Sequence, residues 1–160
     1  MRQKKVLDVP KIKQLKMHCG PASLAMVFQY HGLNITQEEV AKYWKNRNIV
    51  ETGIPYLTLI DCARYFGFTA SMVEEHFTLE KIIKNIDREH PIIARVQGGN
   101  SQSRHLLVIC GYETNPNILW INDPYTISLE RELYENFSPN WRIRGIDQTI
   151  NYGVVVRKKQ

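Results

Sequence analysis

The stretch QLKMHCGPASLAMV, Gln14 to Val27, sets a cysteine directly before Gly-Pro and then an almost wholly apolar run. From Pro21 to about Tyr30 the residues are apolar on nearly every side, which marks a helix buried within a domain rather than lying on its surface. Pro21 suits the first turn of that helix, where its missing N–H costs nothing, and Gly32 suits its end. A thiol at the doorway of such a helix is either one more small core residue or a nucleophile aimed into a cleft. Cys62 in IDCARYF and Cys110 in LLVICGY sit inside apolar periodic segments and read as buried filler. Cys19 alone has unusual neighbours.

Around this segment the chain is ordinary. Its 160 residues are enough for one domain, residues 1–160, with a core of its own. Hydrophobic residues make up 43% and charged residues 23%, values of a typical soluble globular protein. The opening MRQKKVLDVPKIKQLK lacks the apolar core and cleavage site of a secretory signal, and no apolar run approaches the ~20 residues that span a bilayer. The expectation is a cytoplasmic protein that does not insert into a membrane, although a domain cut from a larger protein would look the same. The net charge of +5 comes mainly from the two tips and from single lysines on helix faces, with no aromatic-interleaved basic stripe, so nucleic acid is not an expected partner. Three widely spaced cysteines suit neither a disulfide framework nor a zinc site, and no metal or other cofactor is expected.

After the first helix the pattern predicts three more. One opens with a capping box from Thr36 to Glu39 and shows Val40, Tyr43 and Trp44 on one face. The next runs from about Pro55 to Phe66. The last is capped by Thr78 and carries Leu79, Ile82, Ile83 and Ile86. Beyond His90-Pro91 the runs IIARV, HLLVICGY, ILWIN and YGVVVRK read as antiparallel strands, with ISLERELYENF as one further short helix. Helices first and strands second indicate an α+β domain, a buried helix packed on a sheet.

A cysteine nucleophile works as the thiolate, yet an isolated thiol has a pKa of about 8.5. The positive end of a helix dipole and a neighbouring imidazolium both correct this, and Cys19 sits where the first acts. Among the five histidines, His18 is adjacent and points elsewhere, and His31 lies beyond the far end of the same helix. His76 falls in a charged loop and His90 precedes a proline. His105 opens a strand just after QGGNSQSR, a polar loop of the sort that borders clefts, and is the candidate base. If the following hairpin turns near Asn115, paired residue numbers sum to about 230. Asp123 then shares a face with His105 and can orient its ring. The Cys19 backbone N–H and the Gln14 side-chain amide are candidate oxyanion donors, and Gly20 would let substrate approach closely. Each has a plainer alternative: core cysteine, satisfied strand-end histidine, Asp-Pro turn and surface glutamine.

The blocks Q-x4-CGPASLAMV, HLLVICGY and INDP, in that order, resemble the bacteriocin-processing (double-glycine leader) cysteine peptidases and their stand-alone relatives in the papain-like clan. The resemblance implies a papain-like fold in which Cys19 is nucleophile, His105 base, Asp123 orienter and Gln14 part of the oxyanion hole. It also implies a peptide or protein substrate, cut after Gly-Gly in several members, and a peptide exporter as partner. His18 stands where the exporter-linked members commonly have aspartate, and the ending after Ser128 resembles the stand-alone relatives. The same site would equally serve an acyl or peptidyl transferase, and a leader-binding module without turnover is the third reading.

Overall fold

The computed structural model describes residues 2–46, 56–73, 77–97, 104–141 and 153–159. Helix α1, Cys19–Tyr30, starts two residues before Pro21, so Cys19 itself stands in its first turn. Every residue from Gly20 to Phe28 is buried, the physical reason the segment is apolar all round. Gly32 takes φ +97°, a left-handed conformation open to glycine, and closes the helix. Helix α2, Gln37–Asn46, has the capping box: Thr36 N–H donates to Glu39 Oε2 at 3.0 Å, and Glu39 N–H to Thr36 Oγ1 at 3.2 Å. Val40, Tyr43 and Trp44 are buried, and α2 packs on α1. Helix α3 is Tyr56–Tyr65, its expected start at Pro55 lying outside the described residues. Helix α4, Leu79–Asp87, is capped by the Thr78 hydroxyl, which accepts from Lys81 N–H at 3.3 Å, and it buries Ile82 and Ile86.

Seven strands among the described residues form one antiparallel sheet. Its order is β2 (Phe68–Val73), β7 (Gly153–Lys158), β3 (Ile92–Gln97), β4 (Arg104–Glu113), β5 (Ile118–Asn122) and β6 (Leu129–Leu133). Strand β1, Lys4–Val6, pairs with the far end of β4, beyond the point where β3 stops. Helix α1 lies against β4, so the middle of the sheet meets the helix that Cys19 opens. Among the described residues no helix is long and apolar enough to cross a membrane.

The segment ISLERELYENF departs from expectation. It is not one helix: Leu129–Leu133 forms β6 along β5, and only Tyr134–Phe137 turns into the short helix α5. Leu129, Leu133 and Phe137 fall at helical spacing, but the free edge of β5 offers backbone donors and acceptors that need partners.

The hairpin of β4 and β5 carries the register that matters for function. Near its turn, Glu113 faces Ile118 and Gly111 faces Trp120, so residue numbers sum to 231. Between Ile109 and Gly111 a β-bulge intervenes, and from there Ile109 faces Ile121 and Val108 faces Asn122, a sum of 230. An even sum puts odd-numbered residues of both strands on one face, whereas 231 would send Asp123 to the face opposite His105. The expected register therefore holds at the cleft end, although the turn itself is centred half a residue beyond Asn115. The bulge at Cys110 makes the difference.

Candidate active site

His105 Nε2 and Asp123 Oδ1 lie 2.6 Å apart, with the two side chains 19% and 18% exposed, so the pair is largely shielded from water. β4 delivers the histidine. β5 ends at Asn122, and Asp123 begins the turn that follows it, which leaves its carboxylate free to face the ring. The same Oδ1 accepts from the Tyr125 backbone N–H at 2.9 Å, which fixes the carboxylate from the other direction.

Burial alone would lower the His105 pKa. The hydrogen bonds to Asp123 and Cys19, and the charges of both, outweigh burial and raise it to about 9. Burial likewise opposes ionisation of Asp123, but the His105 hydrogen bond, the Tyr125 N–H and the imidazolium charge hold its carboxyl below the ordinary value. At neutral pH the arrangement is an imidazolium beside a carboxylate. With Nε2 taken by Asp123, Nδ1 is the ring nitrogen left for Cys19. The half-buried Cys19 stands in the first turn of α1, where backbone N–H groups lack helical partners and the dipole favours negative charge.

Gln14 arrives on an extended strap, residues 7–15, and its backbone N–H donates to the Pro124 carbonyl at 2.7 Å, one residue from Asp123. The side chain is half-buried, and its Oε1 is buried without a hydrogen-bond partner. His18, the N-cap of α1, makes no capping hydrogen bond and points its Nδ1 back to the Lys16 carbonyl at 2.7 Å. His31 is tied to the Val156 carbonyl at 2.8 Å, and His76 lies outside the described residues, as does the loop 98–103 before His105.

Gly20 has a different role from the one its position suggests. It is buried, and a Cβ there would overlap the Trp44 indole, so the missing side chain makes room for α2 rather than for substrate.

Two buried polar residues escaped the sequence pattern. Asn122, 2% exposed, donates from Nδ2 to the carbonyls of Val9 at 2.9 Å and Pro10 at 3.4 Å, tying the strap to the end of β5. Gln37, 7% exposed, accepts from Leu15 N–H at 2.9 Å and donates to the Lys13 carbonyl at 2.8 Å. The signal for Gln37 was present: it falls in helical phase with buried Val40 and Trp44, where an apolar residue is the rule.

The rim is apolar. Leu15 and Met17 before Cys19, and Tyr125 and Ile127 after Asp123, are all exposed. Beside the start of α1 a groove of about 800 Å³ is lined by residues including Met17, His18, Pro21, Ala41 and Trp44.

A buried helix opened by cysteine, packed on an antiparallel sheet that brings a paired histidine and aspartate to its first turn, defines the papain-like class. A model of the Peptidase_C39 like family matches residues 6–147, and the chain belongs to that family. Solved structures agree on the fold. The peptidase domain of Streptococcus ComA, a bi-functional ABC transporter involved in a quorum-sensing pathway, superposes with a TM-score of 0.73 at 22% identity, over 94% of this chain and 99% of that one. A protein of Bacillus anthracis described as a C39-like peptidase gives 0.75 at 18% identity, over 99% and 100%. A double-glycine-motif protease from an AMS/PCAT transporter, solved with its leader peptide, gives 0.64 at 20%, over 96% and 94%. Among curated proteins none matches the chain.

Proposed function

We propose that this chain is a cysteine peptidase that cuts peptide bonds through Cys19, His105 and Asp123, and that its substrates are precursors with a leader ending in Gly-Gly. The observation that carries the chemistry is the 2.6 Å His105–Asp123 pair with Cys19 at the same ring. Cys19 Sγ, its proton held by His105, attacks the peptide carbonyl. The new S–C bond converts the carbonyl oxygen to an oxyanion, which accepts from the Cys19 backbone N–H and the Gln14 side-chain amide. As the C–N bond breaks, His105 returns its proton to the departing amine. Water, deprotonated by His105, then splits the thioester and frees Cys19. Asp123 holds the ring in place and supports its charge throughout.

Gly-Gly leaders are inferred from the neighbours, one the peptidase domain of an ABC transporter and another a double-glycine-motif protease from an AMS/PCAT transporter, solved with its leader peptide. The exposed Leu15, Met17, Tyr125 and Ile127, and the Met17, Pro21, Ala41 and Trp44 part of the groove, suit the apolar side chains of such a leader, while Lys16, Glu38, Lys42 and Lys45 line the rest. On this reading the enzyme works in the cytoplasm, on the side from which an exporter takes its cargo. Incubation of the protein with a Gly-Gly precursor peptide, followed by mass spectrometry, should show cleavage after the second glycine and none with Cys19→Ala. Cleavage by Cys19→Ala at the parent rate would remove Cys19 from the mechanism.

A further inference from the structure

The two peptide planes on either side of the Gln14 Cα are both held from outside the strap. In the Lys13–Gln14 plane, the carbonyl accepts from Gln37 Nε2 at 2.8 Å and the N–H donates to the Pro124 carbonyl at 2.7 Å. In the Gln14–Leu15 plane, the N–H donates to Gln37 Oε1 at 2.9 Å. Peptide units are rigid, so fixing both planes fixes φ and ψ of Gln14, and with them the direction in which its side chain leaves the backbone. One primary amide, on α2, thus sets two planes at once. Hydrophobic burial alone does not explain this. Gln37 lies on the buried face of α2, where leucine would pack without the cost of desolvating an amide.

We propose that Gln37 is a positioning residue for the reaction, holding Gln14 where its amide meets the oxyanion. The proposal rests on the peptidase reading above. Gln37 touches neither substrate nor thiol. It acts by keeping the Gln14 amide at the position the oxygen reaches only after attack, where a displacement of about 1 Å is enough to cost some 10²-fold in rate.

The consequences separate from those of a general structural role. Gln37→Met keeps the volume and removes both hydrogen bonds, whereas Gln37→Glu keeps the acceptor for Leu15 and loses the donor for Lys13. Three measurements on the full chain decide the matter. With a Gly-Gly precursor, Gln37→Met should lower kcat at least tenfold with KM within threefold, and Gln37→Glu should fall between it and the parent. Affinity for a peptide aldehyde ending in Gly-Gly, whose adduct with Cys19 presents an oxygen to the same donors, should drop in parallel. Alkylation of Cys19 by iodoacetamide, which forms no oxyanion, should keep the parent rate and pH profile. In a Gln14→Ala background, Gln37→Met should cost little more, because the group it positions is gone. Equal losses in alkylation and turnover, or losses that multiply in the double variant, would show that Gln37 merely holds the fold. A parent chain that neither cleaves the precursor nor binds the aldehyde sinks the peptidase reading and this one with it. A fully active Gln37→Met sinks this one alone.

Discussion

Asparagine at position 123 would keep the size and reach of the side chain and remove its charge. In the parent, His105 is raised from 6.5 to about 9. At ~1.4 kcal/mol per pH unit, this corresponds to about 3 kcal/mol in favour of the protonated ring. The figure is net, since burial works against it and Asp123 and Cys19 overcome that burial together. Without the carboxylate only Cys19 is left to oppose burial, and the ring titrates lower than in the parent. At pH 7.5 the protonated fraction then drops from the parent's about 97%. An NMR titration of the His105 ring protons reads the change directly, and the alkaline limb of kcat/KM should move from near pH 9 toward neutrality, with at least a tenfold loss at pH 7.5. Stability should follow the same pair. A pKa raised by folding contributes fully below about 6.5, and the contribution fades as pH rises through about 9. Asp123 acts at the other end, since its depressed pKa gives stability that is present at neutral pH and disappears as pH falls through its folded value. A His105 midpoint that moves by less than half a unit in Asp123→Asn would refute this account of the pair.

Other perturbations should be equally specific. Iodoacetamide at neutral pH should label Cys19 and leave Cys62 and Cys110 untouched, because both are buried and burial pushes the Cys110 thiol up to about 12; peptide mapping of the alkylated protein checks it. Gly20→Ala should destabilise the fold by about 1–3 kcal/mol through overlap with Trp44. Urea unfolding measures this, and Gly20→Ala combined with Trp44→Leu should recover part of the loss. Asn122→Leu removes the donor to two strap carbonyls and should cost about 1–3 kcal/mol by the same assay.

The helix that Cys19 opens and the cleft end of the hairpin were legible because their signals are local. An all-round apolar run announces α1, Thr36 and Glu39 announce α2, and parity along two strands places Asp123 beside His105. What was not legible depends on partners distant in sequence. Lys4–Val6 is a strand because the edge of β4 beyond β3 is vacant, and Leu129–Leu133 because β5 has an edge to fill. Phe68–Val73 finds its partner in β7, some 85 residues later, by pairing Phe68 with Lys158. The site shows the same division. Cys19, His105 and Asp123 are chemically conspicuous residues, whereas Gln37 and Asn122 work through backbone atoms of a strap that sequence does not place near them. Gly20 misled because a glycine beside a candidate nucleophile has two uses, and only the position of Trp44 distinguishes them.

The extra residue at Cys110 divides the hairpin into two parts with different tolerance for change. Beyond it, around Thr114 to Asn117, length can vary in pairs of residues without disturbing the cleft, since the turn only has to bring the strands back together. Between it and the cleft, one inserted or deleted residue would act like a frameshift in the sheet, turning His105 away from Asp123 while leaving the composition intact. Homologues and engineered variants should therefore accept grafts at the hairpin tip and reject single-residue indels in the five positions from His105 to Ile109.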